Sequence, residues 1–247
     1  MKTPMIASIG MPRAGSGWHY NLIHDLVVAS GGVDARRVRE RFLLGAILTE
    51  VNCNIGAFTP KRLIPVMVPA VLGQRYVIKA HAGPTSLALR LIKKERIIPI
   101  YIYRDPRDAL LSAYEYGQRK RDDGRSGAFS ELDTIDKAIE FMKDYVAISE
   151  AWLGCDKALH CRYEDLLLDY QSEAARLADF LGIDIQGDGI QATIDKYQPR
   201  MGSMDQRGTH FRKGVIGRYR EKLTGEQLAL CNKTFEPFFD RMGYPLD

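Results

Sequence analysis

The chain has 247 residues, 45% hydrophobic and 27% charged, which is enough apolar material for one sizeable α/β core and is not the composition of a disordered or fibrous chain. A formal charge of +4 is too small for a protein that coats nucleic acid, though it suits a site that holds a small polyanion. The apolar run in MKTPMIASIG is too short for a secretory signal, and no later window approaches the roughly 20 apolar residues of a membrane span. Cys53, Cys155, Cys161 and Cys231 form no CxxC pair and no metal-type spacing with histidine, so a cytoplasmic protein with reduced thiols is expected.

In chain order, MIASIG (5–10) is the first strand, and a glycine-bearing turn leads from it into a helix over 15–30. Residues 31–75 mix the basic patch DARRVRER with apolar runs broken by Pro60, Pro65 and Pro69, which predicts short helices over the open end of a sheet. YVIKAH (76–81) is the second strand, followed by a helix over 85–94. IIPIYIYR (97–104) is the third, followed by a helix over 106–120. The polar stretch QRKRDDGRSGAFSELD (118–133) is expected to be a mobile loop. A helix over 134–154, the strand KALHCRY (157–163), and helices over 164–181 and 225–242 complete the chain. The strands are nearly continuous in apolar residues, as strands covered on both faces are. Their alternation with helical spacing predicts a single α/β domain over 1–247, with a central, mostly parallel sheet of about four to five strands flanked by helices.

The turn after the first strand carries the first chemical signal. Gly10, Gly15 and Gly17 permit tight backbone turns near a ligand, and the helix that follows turns its unpaired N–H groups toward it. An anion there gains roughly 0.3 to 1 kcal/mol when exposed and about 2 when partly buried. The Walker A pattern is only half matched: Gly10, four residues and Gly15 are followed by SG where K[ST] is required, and the cation sits inside the loop at Arg13.

The third strand delivers Arg104 to the carboxyl edge of the sheet, where open α/β folds bind ligands. Asp105 reads as a helix N-cap, Pro106 as the first helical residue, and Ser112 falls two turns later on the same face. Arg104 and Ser112 sharing a phosphate is one reading; Arg104 pairing with Asp108, with Ser112 a small buried residue, is the other. Trp18 and Tyr163 offer flat apolar faces that suit a ligand or a core equally.

Four ordered segments resemble the sulfotransferases that use 3′-phosphoadenosine-5′-phosphosulfate (PAPS). PRAGSGW is similar to that family's 5′-phosphosulfate loop, usually PKSGTTW, with Arg13 where the family has lysine. YRDPRDALLSAYEY resembles its 3′-phosphate segment, RYEDLLLD the region whose tyrosine contacts the nucleotide, and FRKGVIG its C-terminal RKG loop. The resemblance spans residue 8 to about 235. It implies a P-loop-like sulfotransferase fold, with the donor PAPS held by Arg13, Ala14, Gly15, Ser16, Gly17, Trp18, Arg104, Ser112, Tyr163, Arg212, Lys213 and Gly214.

VIKAHAGP matches the family's KxH segment, which implies His81 as the catalytic base, with Lys79 and Arg13 stabilising charge on the bridging oxygen as 3′,5′-adenosine bisphosphate (PAP) leaves. An imidazole with a pKa near 6.5 suits removal of a hydroxyl proton. His19, His24, His160 and His210 have no comparable placement. A sulfuryl group carries less charge than a phosphoryl group, so in-line transfer without a metal is expected. The acceptor implied is a small molecule with a hydroxyl or amine, left open by the sequence, as is the oligomeric state. Two other readings stand beside this one: a P-loop small-molecule kinase using ATP, against which the missing lysine at Ser16 and hydroxyl at Gly17 argue, and a nucleotide-sensing scaffold without catalysis, against which Lys79 and His81 argue.

Overall fold

The computed structural model describes residues 4–199 and 214–246. In chain order the elements are β1 (Met5–Gly10), α1 (Ser16–Ala29), α2 (Ala35–Arg41), α3 (Pro60–Val71), β2 (Val77–Ala80), α4 (Ser86–Lys93), β3 (Ile97–Tyr103), α5 (Pro106–Asp122), α6 (Ile135–Leu153), β4 (Leu159–Arg162), α7 (Tyr163–Leu168), α8 (Tyr170–Phe180), α9 (Ile190–Tyr197), α10 (Tyr219–Lys222) and α11 (Gly225–Met242). The four strands form one sheet in the order β2-β1-β3-β4, every neighbouring pair parallel. This is the α/β sheet flanked by helices that the strand and helix alternation predicts.

The two-residue period of a strand divides the apolar runs between two cores. Met5, Ala7 and Ile9 of β1 join Ile78 and Tyr101 on one face, packed under Leu63, Leu110, Ile139 and Phe235 from α3, α5, α6 and α11. Ile6 joins Val77, Ile100 and Ile102 on the other, under Leu22, Ile23, Leu177 and Ile194 from α1, α8 and α9. Truncating one such buried Ile or Leu to Ala costs about 2 to 5 kcal/mol. Because every strand is parallel, all four carboxyl ends lie on one edge. The order 2-1-3 makes the connections after β1 and β3 leave in opposite directions, which opens a crevice between them.

Three boundaries differ from expectation. Tyr163, predicted as strand, is the first residue of α7, and the single helix predicted over 164–181 is broken at Asp169, whose φ of −126° and ψ of 53° are not helical. The loop predicted over 118–133 is in its first part helix, since α5 runs on to Asp122. Its remainder is tied down: Arg121 Nη1 donates to the Ser130 and Leu132 carbonyls at 2.9 and 3.1 Å, and a Cβ at Gly117 would lie 2.0 Å from the Phe129 oxygen. Helices α9 and α10 lie where no element is predicted; Asp25 of α1 accepts from both Lys196 and Tyr197 of α9 at 2.6 Å.

Residues 31–75 do form short helices, and 53–55 pair with the outer edge of β2, with Ile55 N–H donating to the Lys79 carbonyl at 2.9 Å. The cysteines are buried and none is in a disulfide. Among the described residues no helix is long and apolar enough to cross a membrane, and no three His, Cys, Asp or Glu side chains are grouped as metal ligands.

Candidate active site

The ends of β1, β2 and β3 converge on a cavity of about 600 Å³. Its floor is the turn between β1 and α1. Gly10 has no room for a side chain, since a Cβ would lie 2.6 Å from Ile102 Cγ2. Gly15 is required twice over: its φ is +73°, and a Cβ there would meet the Tyr163 ring at 2.7 Å. No side chain caps the start of α1, so the amide end of this 14-residue helix is left for the cavity that Gly15, Ser16 and Gly17 line. Ala14 is fully buried, donates its N–H to the Met11 carbonyl at 3.2 Å and is not among the residues that line the cavity.

His81 follows directly on β2. Its Nδ1 lies 2.6 Å from the Gly10 carbonyl oxygen, which can only accept, so Nδ1 carries the proton and Nε2 keeps its lone pair. Burial, then the Lys79 ammonium, pushes His81 down to about 4 against the opposing pull of the Gly10 bond. The ring is therefore neutral at neutral pH. Lys79, 6% exposed and also on the cavity wall, is itself pushed down to about 8, by burial first and by Arg13 second. Of the other described histidines, His19 is buried with Nδ1 3.0 Å from Ser8 Oγ, His24 bonds Asp25 at 2.8 Å and His160 meets the Trp152 carbonyl at 3.0 Å; none lines the cavity.

Arg104 follows directly on β3, and Asp105 caps α5 by accepting from Arg107 N–H at 2.9 Å, with Pro106 in the first turn. Arg104 Nη2 donates to Asp108 Oδ2 at 3.1 Å and to the Val215 carbonyl at 2.9 Å, and its guanidinium lies 4.3 Å from the centre of the Tyr163 ring. The pairing with Asp108 is thus real, yet among the described residues the buried Nε has no partner, and Arg104 lines the cavity. Asp108 also accepts from Gly217 N–H at 2.7 Å, tying the segment that carries Gly214 to α5. Gly214 lines the cavity; Arg212 and Lys213 lie outside the described residues.

Ser112 bonds Arg13 rather than Arg104: Arg13 Nε donates to its Oγ at 3.2 Å. Trp18 borders the cavity but is 1% exposed, because Tyr170 stacks on one face at 5.9 Å and Nε1 donates to the Tyr197 carbonyl at 2.8 Å. It is packed far more as a core aromatic than as an open platform. Sequence reasoning singled out none of the rings of the aromatic wall formed by Tyr116, Phe129, Phe141 and Tyr145. Part of that wall was accessible to it, since Asp108, Ser112 and Tyr116 follow one another at intervals of four along α5 and share a face.

Comparison with known proteins agrees with this fold. The family model described as "Sulfotransferase domain" matches residues 8–243. The chain is 23% identical to an amine sulfotransferase of Oryctolagus cuniculus over 62% of this chain and 58% of that protein, and 23% identical to cytosolic sulfotransferase 17 of Arabidopsis thaliana over 65% and 55%. It therefore spans less than two thirds of these relatives. In fold it is similar to mouse sulfotransferase SULT7A1 solved with PAP (TM-score 0.60, 15% identity, 97% of this chain and 85% of that one). It is also similar to retinol dehydratase solved with androsterone and PAP (TM-score 0.59, 16% identity, 95% and 80%).

Proposed function

Since the chain belongs to the sulfotransferase domain family, we propose that it moves a sulfuryl group from PAPS to a hydroxyl or amine of a small-molecule acceptor, with His81 as general base. The residues present suit a doubly anionic nucleotide. The uncapped start of α1 offers amides to one anionic end, while Arg104, whose Nε has no partner among the described residues, lines the same cavity for another. The volume, about 600 Å³, is of the size that holds small ligands.

One observation carries the assignment of the base: the Gly10 carbonyl holds the proton on Nδ1 and leaves Nε2 free to accept one at the cavity. As the acceptor oxygen forms its bond to sulfur and the sulfur–oxygen bond to the leaving phosphate breaks, Nε2 takes the hydroxyl proton. Lys79 and Arg13 supply positive charge on the cavity wall for the leaving oxygen. The resulting imidazolium lies near Lys79, which favours its prompt deprotonation.

The test is calorimetric titration of PAP into the full chain, followed by transfer from labelled PAPS to a panel of hydroxyl and amine acceptors. The reading expects PAP binding without added magnesium, and an H81A variant that binds PAP but transfers about 10² to 10⁴ times more slowly. Absence of heat with PAP, coupled with magnesium-dependent ATP turnover, would select the P-loop kinase instead.

A further inference from the structure

The residue that most separates this chain from the loop it resembles is Arg13, and its side chain reaches from the turn after β1 to α5. It sits in the left-handed region at φ 66°, where a non-glycine residue is uncommon, between β1 and α1. From there its Nε bonds Ser112 on α5, while the guanidinium carbon, Cζ, lies over the Tyr116 ring, 4.8 Å from its centre, and 6.0 Å from the centre of Phe129. Tyr116 and Phe129 are edge to face at 5.6 Å, Phe129 and Phe141 likewise, and Phe141 leads to Tyr145 at 4.9 Å. Arg13 thus joins the turn after β1 to a continuous row of aromatic rings that line the same cavity. The segment carrying Phe129 is seated closely on α5 at Gly117, where no side chain fits.

We propose that Arg13 serves both halves of the cavity at once: its N–H edge belongs to the donor-anion site and its flat face fixes the aromatic wall, so donor occupancy and the order of residues 123–134 are coupled. The inference rests on the reading of the anion site as the donor site. Arginine is suited to the double task because a guanidinium stacks through its face while donating from its edge. A lysine ammonium is a point charge: it can meet the anion, but it offers no plane for the wall. An anion that draws the edge of Arg13 into a fixed direction also fixes the face against Tyr116 and Phe129. Linkage makes the effect reciprocal, so loosening the wall weakens the hold on the anion.

The test compares the native chain with R13K, R13Q and F129L, using PAP as the probe, calorimetry for affinity and hydrogen exchange for 123–134. In the native protein PAP should slow exchange across 123–134. Without ligand, R13K and R13Q should both exchange faster there than the native protein. R13K should still bind PAP, with a loss within about tenfold, but the binding should no longer slow exchange in 123–134. F129L, which keeps a similar volume but loses the ring, should weaken PAP by about three- to tenfold although it removes no charge. Transmission to 123–134 in R13K equal to the native protein, or F129L with unaltered PAP affinity, would overturn the coupling while leaving the donor site standing. No heat with PAP in the native protein would overturn the donor reading and the coupling with it.

Discussion

Arg13 and Ser112, 99 positions apart in the sequence, meet through Nε and Oγ at 3.2 Å. The pair joins the turn after β1 to the second turn of α5, two segments that the motifs assign to opposite ends of a nucleotide. Arg104, expected beside Ser112, is instead held by Asp108 and the Val215 carbonyl. The two cations therefore stand in different company, and substitutions should separate them.

Arg104→Ala should weaken PAP by about a hundredfold while AMP, which lacks the 3′-phosphate, loses less than about threefold, because a charge-assisted contact contributes roughly 1.5 to 3 kcal/mol. Ser112→Ala removes one neutral hydrogen bond and should cost PAP only about three- to tenfold. Calorimetry with both nucleotides decides; equal losses for PAP and AMP in R104A would move the 3′-phosphate elsewhere.

His81→Ala should lower turnover by about 10² to 10⁴, the range ascribed to a positioned general base, with PAP affinity preserved. With His81 pushed down to about 4, its base form is complete above about pH 5, so kcat/KM should stay level from neutrality down to that point and fall below it. A steep decline already between pH 7 and 6 would point to a different base.

Lys79, pushed down to about 8, should give the alkaline limb of the same profile: the ammonium is present below that value and lost above it. Lys79→Met should cost about 10² to 10³ in kcat, as removal of an electrostatic stabiliser does, and should flatten the alkaline limb. An alkaline limb unchanged in K79M would show that another group titrates there.

Gly15→Ala places a methyl group 2.7 Å from the Tyr163 ring on a backbone with φ +73°. Both the left-handed cost and the clash act together, so the melting temperature should fall by several degrees, for about 2 to 4 kcal/mol, and PAP binding should be lost. A thermal melt and a titration of the same sample check both at once. Gly124→Ala, where nothing lies within 4 Å, is the control for the backbone cost alone.

Acid should destabilise the fold through the buried histidines. His19 is pushed down to about 3, by burial first and then Lys79, and His81 to about 4. In the unfolded chain both return toward 6.5, so between about pH 6.5 and 4 the unfolded state binds more protons and stability falls as pH falls. Each unmatched proton contributes a slope of up to about 1.4 kcal/mol per pH unit. Urea midpoints measured from pH 7 to 4 should drop in the native protein and drop less in a His19→Gln variant.

The amino-acid sequence by itself determined the parallel strands, the glycine turn into α1, the cap at Asp105 and the place of His81 at the carboxyl end of the second strand. Each depends on a short stretch: a two-residue period of apolar side chains, a glycine where the chain must turn tightly, an Asp before a Pro. It did not determine the break at Asp169, where one apolar stripe is shared by two helices that meet at a non-helical residue. Only the tertiary structure decided which proton His81 carries, because the carbonyl that holds it comes from Gly10, 71 residues earlier. It likewise decided that Trp18 is covered by Tyr170, that Arg104 leans on Asp108, and that Arg13 reaches across to Ser112 and the wall of Tyr116 and Phe129. A side chain's partner depends on how distant segments pack, and local periodicity carries no record of that.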